Sequence, residues 1–228
     1  MSVSPNLKYL QKKLNYQFNE LPILQMALTH RSASSQHNER LEYLGDAVLG
    51  SIIAHQLYLQ FPQADEGQLS RLRSFLVKEK ALYELAQQIN LGDYLNLGSG
   101  ELKSGGFRRA SILSDAFEAI IGAVYLDSDF ISTQQFVLGL YQEKLAKLSL
   151  DMAQKDPKTR LQEWLQARNF ETPEYEVIRS TGKDHAKSYW VSCNVEYQSI
   201  KTEGFGASRR KAEQDAAAKV LEKLVNDK

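Results

Sequence analysis

The chain has 228 residues, 43% of them apolar, which is enough for one large domain or two modest ones with sizeable cores. Its 28 basic and 28 acidic residues cancel, and a split near residue 150 leaves 14 basic and 15 acidic residues before it and 14 and 13 after. Bulk charge therefore argues mildly against a nucleic-acid partner, so any such contact must rest on local clustering.

The opening segment, MSVSPNLKYLQKKLNYQF, has no long apolar run, so neither a signal peptide nor a membrane anchor is expected there. No later stretch approaches the roughly 20 apolar residues that a membrane span requires. Cys193 is the single cysteine, which excludes an intrachain disulfide framework and fits a reducing cytoplasm. A cytoplasmic protein with no membrane partner is expected. Residues 1 to about 148 read as mostly helical. LEYLGDAVLGSIIAHQLYLQF and SILSDAFEAIIGAVYL are long, apolar and poor in breakers, and apolar residues run most of the way round them, as in helices packed on several sides. Turn signals fall at Phe61-Pro62, Glu66-Gly67, Gly98-Ser99-Gly100 and Ser104-Gly105-Gly106.

The polar stretch SLDMAQKDPKTR reads as a linker that ends where another helix begins, and places a boundary near residues 148–156. After it comes a short helix, TRLQEWLQARN, then three strand-like runs, YEVIRST, SYWVSCNVEY and SIKTEGFG, then a closing helix, SRRKAEQDAAAKVLEKLV. The expected fold class is multidomain: an all-α domain over 1–150, then an α+β domain over 151–228 with the order α-β-β-β-α.

The most informative residues are acids. In NERLEYLGDAVL, Glu39, Glu42 and Asp46 stand at i, i+3 and i+7. At 3.6 residues per turn they fall within an arc of roughly 60°, opposite Leu41, Leu44, Val48 and Ile52. Solvated helices usually carry compensating Lys or Arg at such spacing, and only Arg40 is near. In SILSDAFEAIIGAVYL the only charged residues are Asp115 and Glu118, again neighbours on one face. Two carboxylates on so apolar a helix are costly unless cations neutralise them. One reading is an exposed acidic stripe paired with Arg71, Arg73, Arg108 or Arg109. The other is a site where oxygen ligands converge on Mg²⁺ or Mn²⁺, since no Cys/His cluster with zinc-like spacing is present. Spacing alone does not identify a nuclease.

At these residues the chain resembles the ribonuclease III family. NERLEYLGDAVL is similar to its signature helix, an NERLEFLGDS-like string, and SILSDAFEAIIGAVYLD to its second catalytic helix. DEGQLSRLRSFLV and LGSGELKSGGFRR match family segments between them in order and approximate spacing. The C-terminal unit resembles a double-stranded-RNA-binding domain, so the likeness covers nearly the whole chain. The resemblance implies that Glu42, Asp46, Asp115 and Glu118 are the metal-binding catalytic carboxylates, with Asp46 and Glu118 at the heart of catalysis. It implies that Glu39 and Glu66 organise the site or the dimer. Tyr43 stands where the family usually has Phe at the dimer contact, and Ala47 replaces a common Ser with no expected catalytic consequence. It further implies a homodimer cutting both strands of duplex RNA, leaving 5′-phosphate and 3′-hydroxyl ends with two-nucleotide 3′ overhangs. Precursors of ribosomal RNA and structured messenger RNAs are the expected substrates.

Three contact sets in the second domain suit duplex RNA. Thr159, Gln162, Glu163 and Gln166 form one polar helix face, fitted to the 2′-hydroxyls of a shallow minor groove. His185 lies in the loop GKDHAKS, where it would enter the next minor groove. Arg209, Arg210 and Lys211 open the last helix, against the sense of its dipole, which makes a phosphate partner the better explanation. His30, His37 and His55 read as structural groups, Cys193 as a packed thiol, and Trp164 and Trp190 as core. Gly98, Gly100, Gly105 and Gly106 form a flexible loop that lacks the P-loop pattern, beside Lys103, Arg108 and Arg109 as candidate backbone contacts. Two competing classes remain: a non-catalytic double-stranded-RNA-binding protein, and a metal-dependent phosphohydrolase of small nucleotides, which leaves the second domain unexplained.

Overall fold

A computed structural model describes residues 7–182 and 187–226. The chain divides into two compact units between Ala153 and Gln154. Among the described residues, no helix is long and apolar enough to cross a membrane.

The first unit is helical: α1 (Leu7–Leu14), α2 (Leu21–Ala27), α3 (Glu39–Gln60), α4 (Glu66–Val77), α5 (Glu79–Gln88), α6 (Ser99–Lys103), α7 (Ala110–Asp127) and α8 (Phe130–Ala146). At its centre is α7, whose Ile112, Leu113, Ala116, Phe117 and Ala119 to Val124 are all buried. A helix apolar on every side can only be a core helix. Against it lies α3, through Leu41, Val48, Leu49, Ile52 and Ile53. The two backbones almost touch. A Cβ on Gly45 would stand 1.8 Å from the Glu118 carbonyl oxygen, and one on Gly122 would stand 2.2 Å from that of Leu41. Only glycine permits so close a crossing.

Two expected turns prove to be helical. Glu66-Gly67 is the first turn of α4, because Asp65 caps it reciprocally with Gln68: the Gln68 N–H donates to Asp65 at 2.6 Å, and the Asp65 N–H donates to the Gln68 side chain at 2.9 Å. The glycine-rich loop between Gly98 and Gly106 carries the short α6, and turns only at Gly105, with φ 77°.

The second unit runs α9 (Pro157–Gln166), β1 (Glu174–Thr181), β2 (Ser188–Val195), β3 (Ile200–Gly206) and α10 (Arg209–Asn226). The sheet is antiparallel in the order β1-β2-β3, with an irregularity between Val177 and Arg179. Both helices cover one face, burying Leu161, Leu165, Cys193, Val195, Ile200, Ala216 and Val220 together. Cys193 is thus a packed thiol, and Trp164 packs partly buried against this core. Trp190 does not. Its register opposite Phe205, which is 52% exposed, puts the indole on the other face of the sheet, where Arg179 stacks over it. All-α followed by α-β-β-β-α, the expected fold class, is the fold of the described residues.

Candidate functional site

The α3–α7 crossing sets the first site. Glu42 and Asp46 flank Gly45 on α3, and Asp115 and Glu118 precede Gly122 on α7, so the crossing brings both acid pairs together. Glu42, Asp115 and Glu118 are half-buried, while Glu39 and Asp46 are exposed. Burial first, and then the charges of Asp46, Glu42 and Asp115, together push the Glu118 carboxyl up to about 8. Burial also raises Glu42, helped by Asp115, Glu39 and Asp46 and opposed by Arg31. Asp115 is raised first by burial, then by Glu79, against the Ser114 hydrogen bond, His30 and Arg31. The four acids therefore act on one another as a single cluster. Among the described residues, no three His, Cys, Asp or Glu side chains form a ready-made ion cage. The donor set nevertheless fits a hard divalent cation, being all carboxylate oxygen, partly desolvated and strained by its own repulsion.

A cavity of about 580 Å³ opens on this cluster, lined by Glu39, Glu42 and Asp115 together with His30, Arg31, Glu101 and Arg109. Arg31 donates to Glu39 at 3.1 Å, and Arg109 pairs with Glu101 at 3.1 Å. Of the basic partners offered by the sequence, Arg109 lines this cavity, whereas Arg71 donates through Nε to the Ala153 carbonyl at 2.6 Å and Arg108 lies over the Phe107 ring. Glu66 is exposed at the start of α4, accepts the Ser70 hydroxyl at 2.7 Å, and does not line the cavity. Tyr43 is 81% exposed on α3. Among the histidines, His30 contacts the Ser32 hydroxyl at 2.8 Å and His55 the Gln134 amide at 3.1 Å.

In the second unit, the starts of α9 and α10 lie side by side. A cleft of about 470 Å³ there is lined by Asp156, Lys158, Thr159, Gln162, Arg209, Arg210 and Glu213. It joins two contact sets that the sequence presents separately. Glu163 and Gln166 are exposed beyond it, and Glu163 is paired with Lys155. The Thr159 hydroxyl is engaged in the cap of α9, donating to Asp156 at 3.0 Å. Lys211 is exposed in the first turn of α10. His185 lies outside the described residues. Sequence reading missed Lys158 and Glu213, which meet from 55 positions apart at 2.6 Å.

The Ribonuclease-III-like family model matches residues 20–145, and the model of the double-stranded RNA binding motif matches residues 157–224. Ribonuclease 3 of Pasteurella multocida (strain Pm70) is 54% identical over 222 residues, covering 97% of this chain and 99% of that protein. A crystal structure of the nuclease domain of ribonuclease III from Campylobacter jejuni superposes with a TM-score of 0.61 at 40% identity, over 64% of this chain and 99% of that one. A second structure of that domain, described for structural flexibility in a region involved in dimer formation, gives 0.60 at 42% identity, over 60% of this chain and 97% of that one.

The chain belongs to the ribonuclease III family. It is an endoribonuclease whose second domain is a double-stranded RNA binding motif.

Proposed function

We propose that this chain is a homodimeric, divalent-metal-dependent nuclease that hydrolyses phosphodiester bonds in both strands of duplex RNA. It leaves 5′-phosphate and 3′-hydroxyl ends with two-nucleotide 3′ overhangs. The observation that carries this reading is the meeting of two carboxylate pairs on crossing apolar helices, which raises Glu118 to about 8. Glu42, Asp46, Asp115 and Glu118 would hold Mg²⁺, or Mn²⁺ in its place. When bound, the ion lowers the pKa of water and stabilises charge on the leaving oxygen. By the family resemblance, Asp46 and Glu118 carry the heaviest catalytic load, and the raised Glu118 carboxyl needs a positive neighbour to ionise. Glu39, fixed by Arg31, shapes the rim of the site.

Dimerisation is supported by two exposed aromatic residues on one side of α3, Tyr43 at 81% and Tyr58 at 69% accessible. Glu66, exposed at the start of α4, helps organise the site or that interface. Duplex RNA is held by Thr159, Gln162, Glu163 and Gln166 on α9, by His185, and by Arg209, Arg210 and Lys211 on α10, through backbone and 2′-hydroxyl contacts with little base reading. A cytoplasmic role on ribosomal RNA precursors and structured messenger RNAs follows. The test is a labelled RNA duplex of about 30 base pairs, long enough for the roughly 16 base pairs one such motif spans, incubated with Mg²⁺ or with EDTA. Cutting of both strands in Mg²⁺ only, with single-stranded RNA spared, supports the proposal. Binding without cleavage in both Mg²⁺ and Mn²⁺ would shift it to a non-catalytic duplex-binding protein.

A further inference from the structure

Glu213 is an acid placed where simple electrostatics forbids one. It lines the cleft between α9 and α10 that the proposed function gives to RNA phosphates, and only 9% of its side chain is accessible. A negative charge there repels a polyanion, and burying it without partners costs several kcal/mol on general grounds. Both of its oxygens are used. Oε2 accepts from the Lys158 Nζ at 2.6 Å, and Oε1 from the Arg209 Nε at 2.9 Å. Lys158 is further held over the Tyr175 ring, its Nζ 4.4 Å from the centroid. Because Arg209 bonds through Nε, this contact leaves its two terminal NH₂ groups unused. Those groups are the ones that grip a phosphate in bidentate fashion. The Arg209 side chain remains 63% accessible and that of Lys158 38%.

We infer that Glu213 is a positioning residue for duplex binding: it fixes Lys158 of α9 and Arg209 of α10 as one pre-oriented pair of phosphate ligands. Free lysine and arginine side chains each surrender rotamer entropy when a ligand fixes them. Glu213 makes the folded domain meet that cost before RNA arrives. The carboxylate stays ionised while doing so: burial alone would raise it, but hydrogen bonds from Lys158 and Arg209 hold it below its ordinary value.

This inference rests on the assignment of the cleft to RNA, and the experiment separates the two. The dissociation constant of the full-length protein for an RNA duplex of about 30 base pairs is measured in EDTA over a range of salt, with melting temperatures alongside. Glu213→Gln keeps the shape and removes one negative charge. Coulomb's law alone predicts tighter binding; positioning predicts binding weakened about tenfold, with the salt slope lowered by about one to two as phosphate contacts are lost. In Mg²⁺, KM for duplex cleavage should rise about as much while kcat holds within about twofold. Lys158→Met should cost less in the Glu213→Gln background than in the wild type, because the two share one arrangement. Unchanged or tighter binding by Glu213→Gln overturns the inference. If Lys158→Met with Arg209→Gln also leaves binding unchanged, the assignment of the cleft to RNA falls with it. Arg209→Lys answers the case of a poorly folded Glu213→Gln, since it keeps every charge and loses only the fork geometry. A roughly threefold loss is expected, and none would refute positioning.

Discussion

In the helical domain, Glu42, Asp115 and Glu118 meet at a helix crossing; burial raises all three, and neighbouring carboxylates add to it, those of the cluster for Glu42 and Glu118 and that of Glu79 for Asp115. In the second domain Glu213, Asp156 and Asp215 are all lowered. Burial would raise Glu213 and Asp156, but hydrogen bonds from Lys158 and Arg209 to the one, and from Thr159 to the other, more than offset it. Asp215 is lowered first by Lys219, then by the Phe205 N–H. The contrast is one of stoichiometry. The first domain crowds acids with too few cations of its own, and under the proposed function a cation from outside would complete the site. The second matches Glu213, Asp156 and Asp215 to donors, so that Glu213 holds Lys158 and Arg209 while their charge still faces the cleft. Family membership gives the chemistry of each domain, and these opposite charge states give the physical reason that one cuts and the other holds.

The sharpest way to break that comparison is Glu118→Gln. Removing one of the four proposed metal ligands should lower kcat on duplex RNA by about 10³-fold or more, with duplex affinity within about twofold of wild type. Single-turnover cleavage and anisotropy binding report the two separately. Affinity lost in step with activity would mean that the division of labour between the domains is wrong.

Much of this was legible in the sequence because helical periodicity is strict. Acids at i, i+3 and i+7 on an apolar helix share a face whatever the tertiary fold, and Gly45 and Gly122 stand beside them. The three strands were legible from their β-branched and aromatic content. What escaped comes from contacts between distant segments. Arg31, Glu79 and Glu101 reach the acid cluster from other elements and no local pattern points to them, whereas Arg109 was among the basic residues the sequence offered. Glu213 and Lys158 read singly as solvated charges and acquire meaning only as a pair. Two misses had a usable signal. Asp65 followed three residues later by Gln68 is a capping pattern, and outweighs the glycine that suggested a turn. Trp190 was assigned to the core from its size, although the pleat that buries Val191 and Cys193 turns position 190 outward.

If the crossing is what gathers the acids, a methyl group at Gly122 should scatter them. Its Cβ would meet the Leu41 carbonyl oxygen at 2.2 Å, whereas a Cβ on Gly139 of α8 meets nothing within 4 Å. Gly122→Ala should destabilise the helical domain by roughly 2–4 kcal/mol in urea unfolding and reduce cleavage beyond what stability explains. Gly139→Ala should be neutral or stabilise by up to about 1 kcal/mol, as Ala does in a helix interior. Equal effects at both positions would show that the close approach is not what matters.

Acidity offers a finer test. The folded protein holds the Glu118 proton up to about 8, against an ordinary 4.5. Between those values the folded state binds more protons than the unfolded one, so the metal-free domain loses stability as pH rises through that window. Glu118→Gln should remove this loss, stabilising the metal-free protein by on the order of 2 kcal/mol at pH 8 and hardly at all near pH 4.5, after discounting for solvent in the site. Mg²⁺ should raise the wild-type melting temperature more at pH 8 than at pH 6, because protons compete for the same oxygens. A flat pH dependence in EDTA would remove the case for a self-repelling cluster.

The smallest effect tests how far that cluster extends. Glu79, at the start of α5, lies outside the four assigned ligands, yet it is the carboxylate that raises Asp115. Glu79→Gln should therefore ease ionisation of Asp115, so that cleavage at pH 6 relative to pH 8 improves by less than about twofold, as befits a charge acting through partly screened space. Glu143→Gln makes the control for Asp115, since Glu143 lies on α8, pairs with Lys147 and does not line the cavity. A gain at low pH from Glu79→Gln alone would place a fifth acid within the cluster's field and explain why one carboxylate of an apparent ligand pair resists ionisation more than its neighbourhood of four requires. Equal responses from the two variants would confine the cluster to the acids of α3 and α7.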